Sequence, residues 1–237
     1  MAAYEREALR ARAASVSDVD EGLRAFMIRV YNYMTLGLAL TGAIAFFTSQ
    51  SPAVFNAIYG SGLQWVVMLA PLGFILVLSF GIQRMSFGTA QLVFWAFAAV
   101  MGLSMATIFV TFTGESIARV FFITAGMFAG MSLYGYTTKR SLAQFGSFLF
   151  MGLIGIIIAS IVNIFLGSSA LQFAISVIGV LVFTGLTAYD TQRIKEMYMV
   201  SDGGEIMGKK AIMGAVALYL DFVNLFMMLL HLFGNRE

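Results

Sequence analysis

The sequence predicts an all-α integral membrane protein with seven transmembrane helices, and three observations carry that expectation. Of 237 residues, 60% are hydrophobic and only 11% are charged, with a mean hydropathy of +0.89. Soluble domains are about 45–50% apolar and about 25% charged, so this chain lacks the polar side chains to cover a water-facing surface. Apolar runs recur at 25–48, 64–83, 89–112, 119–137, 145–166, 170–192 and 211–233. Each is near the ~20 residues needed to cross ~30 Å of hydrocarbon at ~1.5 Å per residue. Finally, the basic residues fall on alternate sides of these runs.

Taken in order, the chain begins with MAAYEREALRARAASVSDVDEGLR (1–24), which mixes acid, base and alanine. It has no apolar core of signal-peptide type. It is expected as a flexible, charged cytoplasmic tail, with the first run acting as an uncleaved signal anchor and 25–237 forming one transmembrane domain. Pro71 in the second run removes a backbone donor and predicts a kink. Gly126 and Gly130 in the fourth, and Gly152 and Gly155 in the fifth, predict close packing against neighbouring helices. The sixteen methionines are expected as core filling. The longest connection is RIKEMYMVSDGGEIMGKK at 193–210. In the seventh run an acid lies amid apolar residues, so that run is expected either to span or to re-enter.

With the N-terminus in the cytoplasm, the inner side holds Arg6, Arg10, Arg12, Arg24, Arg29, Arg84, Lys139, Arg140, Arg193, Lys195, Lys209 and Lys210. Of the 14 basic residues, only Arg119 and Arg236 remain for the outer side. That asymmetry follows the positive-inside rule and puts the C-terminus outside. The chain has no cysteine, which excludes disulfides and thiolate–metal chemistry, and its single histidine, His231, excludes a multi-histidine metal site. No cofactor and no nucleic-acid partner is expected; the lipid bilayer is the one certain surrounding.

Two acidic residues, Asp190 and Asp221, lie inside apolar runs. A carboxylate at the centre of a membrane helix costs roughly 2.5–3.5 kcal/mol on insertion scales, so something must offset or use it. Asp190 is near the inner end of the sixth run, and Asp221 is about ten residues into the seventh, roughly 15 Å deep. Helical spacing places Gly214, Ala217, Asp221, Asn224 and Met228 on one small, polar stripe, with Leu218, Phe222, Val223 and Phe226 elsewhere. Gly179, Phe183, Leu186 or Thr187, and Asp190 form a comparable stripe on the sixth run. The two stripes are expected to meet in the bundle interior.

Two buried carboxylates a few ångströms apart cannot both ionise cheaply and tend to share a proton. Such a pair is a candidate proton sensor. It is also a weak, oxygen-rich transit site for Ca²⁺, because a high-affinity site takes six to eight oxygens. Asn224, Thr187 and Tyr219 are candidate supporting groups. Arg84, closing the second run on the same side as Asp190, has two readings: a latch on ionised Asp190, or a side chain snorkelling to lipid phosphates. Asn32, Asn163 and Asn224 are candidates for hydrogen bonds across helices.

Three stretches resemble one known family. FTGLTAYDTQRIKEMY (183–198) is similar to the signature of the Bax inhibitor-1 family, the transmembrane Bax-inhibitor-motif proteins. TAGMFAGMSLYGYTTKRSL (124–142) and ALYLDFVNLF (217–226) resemble that family's fourth helix with its basic turn and its last helix; FWAFAAVMGLSMATI (94–108) is a looser match. The resemblance covers essentially everything after residue 25. It implies six helices surrounding a central C-terminal seventh and a pH-sensitive calcium leak channel. Asp190 and Asp221 would be the sensor, and Arg84 would be its latch. It further implies, in bacterial relatives, modulation of a membrane-bound protease, while the short loops and lack of eukaryotic targeting signals point to a bacterial inner membrane.

Two other classes compete. One is a non-transporting membrane adaptor acting on a membrane protease or a stress response. The other is an intramembrane aspartyl protease, for which AYD and YLD are a superficial fit. The second reading lacks the Gly-x-Gly-Asp and Pro-Ala-Leu stretches of those enzymes, and LYLD puts bulky residues where a substrate strand must approach. A conduit and not an enzyme is therefore expected.

Overall fold

Among the described residues, seven helices are long and apolar enough to cross a membrane: Glu21–Gln50, Leu63–Gly81, Phe87–Thr111, Gly114–Thr137, Ala143–Leu166, Ser169–Glu196 and Gly204–Phe233. They match the seven apolar runs one for one. The computed structural model describes the backbone over residues 2–236 and side chains over 21–236. In chain order the elements are α1 (Ala2–Gln50), α2 (Pro52–Tyr59), α3 (Leu63–Gly81), α4 (Phe87–Met105) and α5 (Ile108–Thr111). There follow α6 (Gly114–Thr137), α7 (Ala143–Leu166), α8 (Ser169–Glu196) and α9 (Gly204–Phe233). Among the described residues the only β pairing is an isolated antiparallel bridge between Phe112 and Arg236.

Three local features differ from expectation. Residues 2–24, expected as a charged tail, continue α1 as helix, in keeping with the high helix propensity of alanine, glutamate and arginine. The connection after α1 folds as the short helix α2, opened by Pro52 at a position where its missing N–H is no loss. The third span is interrupted at Ala106–Thr107, where Ala106, Phe109 and Val110 bond back three residues. Such bonds tighten a helix end, and the Tyr59 hydroxyl takes the Leu103 carbonyl there. Elsewhere the ends have ordinary chemistry. Ser86, Thr113 and Ser168 cap α4, α6 and α8 by accepting from Thr89, Ser116 and Leu171 N–H. Gly167, at φ 59°, closes α7 in the left-handed conformation that glycine adopts without strain.

α9 is the most enclosed span: 67% of its apolar window is buried, against at most 39% for any other. It packs against α1, α4, α6 and α8, and more lightly on α3. Leu218, Phe222, Val223 and Phe226, expected away from the interior stripe, are all buried too. The physical cause is that neighbours cover α9 on both faces, so a one-sided polarity pattern does not describe it.

Lipid tails are as apolar as leucine, so helices associate through close packing and not through hydrophobic sorting. Helix backbones approach one another closely at Gly135, where an added Cβ would lie 2.3 Å from the Ala188 carbonyl of α8, and at Gly102, 2.7 Å from the Thr41 carbonyl of α1. Gly126, Gly130 and Gly155 do not serve this purpose: a Cβ at any of them meets nothing within 4 Å. Their spacing matched the packing motif, but they face outward. Gly152 does pack, beneath Val182.

The two ends of α9 lie at opposite ends of the bundle. Near its start, the α8–α9 connection is held by Lys210 Nζ, which donates to Met197 O at 2.8 Å and pairs with Asp202 at 2.6 Å. Tyr198 of that connection stacks on Phe26 at the beginning of the first span. At the far end, Thr113 N–H donates to Asn235 O, Asn235 N–H to Ser116 Oγ, and Arg119 to Phe233 O. The seventh run is one unbroken helix that does not double back. At 30 residues it is ~45 Å long, enough for hydrocarbon and both interfaces.

Candidate functional site

α8 and α9 run antiparallel in a register set by small residues. Ile194 of α8 sits against Gly214 of α9, and Met228 of α9 fills the space beside Gly179 of α8. That register brings Asp221 level with Thr187, one helical turn from Asp190. The packing brings the two acids to the same cavity. Asp221 is 5% exposed, while Asp190 is half-buried. No N–H or hydroxyl among the described residues donates to Asp221 Oδ2, and neither acid belongs to an ion pair among them. Two carboxyl groups on one small cavity are disfavoured as a doubly ionised pair.

Both acids open onto one cavity of about 510 Å³, bounded by α7, α8 and α9. α7 contributes Gly146, Ser147 and Phe150, α8 contributes Tyr189 and Arg193 besides Asp190, and α9 contributes Ala217 and Asn224 besides Asp221. α7 rests chiefly on α8, with Gly146 under Tyr189 and Gly185 under Leu149. Only 11% of its apolar window is buried. The cavity is the wedge left between α7 and α9.

The supporting groups divide. Thr187 is fully buried but bonds back to Phe183 O in its own helix, at 2.8 Å. Asn224 lines the cavity, yet its amide donates to Leu220 O of its own helix and not across helices. Tyr219 is not at the site. Its hydroxyl is 2.7 Å from Thr41 Oγ1, and Thr41 donates to Ala98 O at 2.8 Å. Since the single Thr41 proton is committed to Ala98, Tyr219 is the donor, and the chain of bonds ties α9 to α1 and α4. Of the other asparagines singled out, Asn163 bonds Gln172 and caps the short α7–α8 turn by accepting from Ser168 N–H.

Arg84 is not brought to the aspartates. It is exposed beyond the end of α3, and its one described bond is from its backbone N–H to Gly81 O. The cation that acts on Asp190 is Arg193, three residues along the same helix, at the rim of the cavity. Spacing of i to i+3 within DTQR was the available signal. Ser147 and the α7 wall had no signal in sequence, because which helix closes the third side depends on packing.

Among the described residues no group of three or more His, Cys, Asp or Glu is clustered to hold a metal ion. Two carboxylates with an amide and a hydroxyl nearby fall short of the ~six to eight oxygens of a tight calcium site. What the cavity can do is bind a proton between two acids, or pass a hard cation over them without retaining it.

A sequence model described as "Inhibitor of apoptosis-promoting Bax1" matches residues 23–237. The chain is 46% identical to the inner membrane protein YbhL of Escherichia coli, over 95% of this chain and 98% of YbhL. It is 50% identical to an uncharacterized protein of Rickettsia prowazekii over 92% of each. With an uncharacterized membrane protein of Streptococcus pyogenes it shares 31% identity, over 92% of this chain and 96% of that one.

Proposed function

This chain belongs to the Bax inhibitor-1 family, and from that premise we propose that it is a pH-sensitive cation leak pathway with Ca²⁺ as the transported ion. What supports the reading is that Asp190 and Asp221 open onto one cavity between three membrane helices. Protonation cancels the charge that attracts a cation and changes how tightly α8 and α9 hold together at this level. A shift of a closed–open equilibrium by about 1–3 kcal/mol is enough to alter flux several-fold. The counter-charge in this reading is Arg193, not Arg84. Relatedness to YbhL, an inner membrane protein, and the positive-inside asymmetry support a bacterial inner membrane with the N-terminus in the cytoplasm. The protein acts as a conduit, with no catalytic step assigned to it.

The test is calcium flux into proteoliposomes at pH values from about 6 to 8. Wild-type flux should vary with pH, and Asp190→Asn and Asp221→Asn should each flatten that dependence. A pH profile unchanged in both variants would overturn the reading. If capture of a membrane protease also survived both substitutions, the adaptor reading would replace it.

A further inference from the structure

α1 and α6 each pack on α9 without closing against one another, and between them the membrane-facing surface opens into a groove of about 980 Å³. It shares no lining residue with the aspartate cavity. The one charged residue in its lining stands at one end, while Thr35 and Ser132 are uncharged polar residues further along. Arg24, Tyr31 and Tyr136 stand at that end, and Lys195 Nζ lies over the Tyr136 ring at 5.2 Å while donating to Tyr136 O. Arg24 is exposed, and among the described residues no acid pairs with it. Beyond Thr35 and Ser132 the walls become small and apolar, as at Ala39 and Gly42, over a floor that includes Phe222 of α9.

From Met27 to Gly42 the groove follows α1 for ~22 Å, past the ~15 Å half-thickness of the hydrocarbon. It then continues, through Leu38, Gly42, Phe121 and Phe222, into a narrower cavity of about 100 Å³ beside Ile108. A partner helix, ~10 Å across with its side chains, does not fit that tapering end; a single hydrocarbon chain does. The one-ended cation likewise matches an amphiphile with an anionic head and not a uniformly apolar helix.

We propose that this groove is a binding site for one anionic phospholipid, with its phosphate at Arg24 and an acyl chain lying between α1 and α6 as far as Gly42. The inference requires only that the chain spans a membrane, so it stands or falls separately from ion conduction.

The full-length protein, reconstituted in vesicles of equimolar phosphatidylglycerol and phosphatidylethanolamine and released in mild detergent, is examined by native mass spectrometry for retained lipid. Wild type should retain phosphatidylglycerol about fivefold over phosphatidylethanolamine, the preference expected of one cation near a headgroup. Arg24→Gln should abolish the preference. Gly42→Leu should lower retention of both lipids while the melting temperature holds, because a Cβ at Gly42 meets no protein atom within 4 Å. If that variant misfolds, Ala129→Leu on the facing wall makes the same measurement. Equal retention of the two lipids by wild type, or undiminished retention in the groove-filling variant, would overturn the proposal. So would a disulfide between two copies carrying Ala39→Cys, since a second copy would then occupy the groove.

Discussion

Asp190 and Asp221 line one cavity although one lies 6 residues from the end of α8 and the other 17 residues from the start of α9. The mismatch is absorbed because α9 begins well beyond the end of α8, held there by Lys210 on Met197 and Asp202. The small residues Gly179 and Gly214 then fix the sliding register between the two helices.

The rim arginine should tune the site, and the distant one should not. Removing the positive charge of Arg193 makes the ionised pair less favourable, so the proton is retained at lower proton concentration. The calcium-flux profile of Arg193→Gln should therefore move to higher pH, whereas Arg84→Gln should superimpose on wild type. Flux measured across pH for the two variants side by side decides this; a shift in Arg84→Gln alone would restore it as the latch.

Glycine positions of similar appearance should behave in opposite ways. Gly135→Val forces a side chain into the Ala188 backbone and should destabilise by about 1–3 kcal/mol or more. Gly126→Ala and Gly130→Ala meet open space and should be neutral or stabilise by up to ~1 kcal/mol through helix propensity. Thermal unfolding in detergent, following helicity, separates the two groups.

Tyr219 should matter for stability and not for gating. Tyr219→Phe deletes the bond to Thr41 and should cost about 1 kcal/mol. Thr41→Val, which leaves the Tyr219 hydroxyl buried without its acceptor, should cost about 1–3 kcal/mol. The pH dependence of calcium flux should be unaltered in both. A changed profile would mean that Tyr219 communicates with the aspartate cavity.

Because the chain has no cysteine, single cysteines report sidedness directly. Ser201→Cys in the α8–α9 connection should react with an impermeant maleimide only from the cytoplasmic side, and Asn235→Cys only from outside. Asn235 makes its described bonds through the backbone, so the substitution leaves them in place. Labelling of both from one side would contradict an odd number of crossings.

Much of the architecture was determined by local chemistry alone. Seven runs of about 20 apolar residues have one low-cost arrangement in hydrocarbon, since helices satisfy their own backbone groups. The cost of burying Asp190 and Asp221 marked them without reference to any neighbour. Contacts were decided only by tertiary structure, because lipid-facing and helix-facing surfaces are both apolar. No pattern told that Gly135 packs and Gly130 does not, or that Tyr219 turns to Thr41 while Asp221 lines the cavity with Asp190. Nor could a pattern show that α7 closes the third wall of the cavity. Those outcomes depend on the register and crossing of whole helices, which the sum of many small packing contacts sets and no single residue announces.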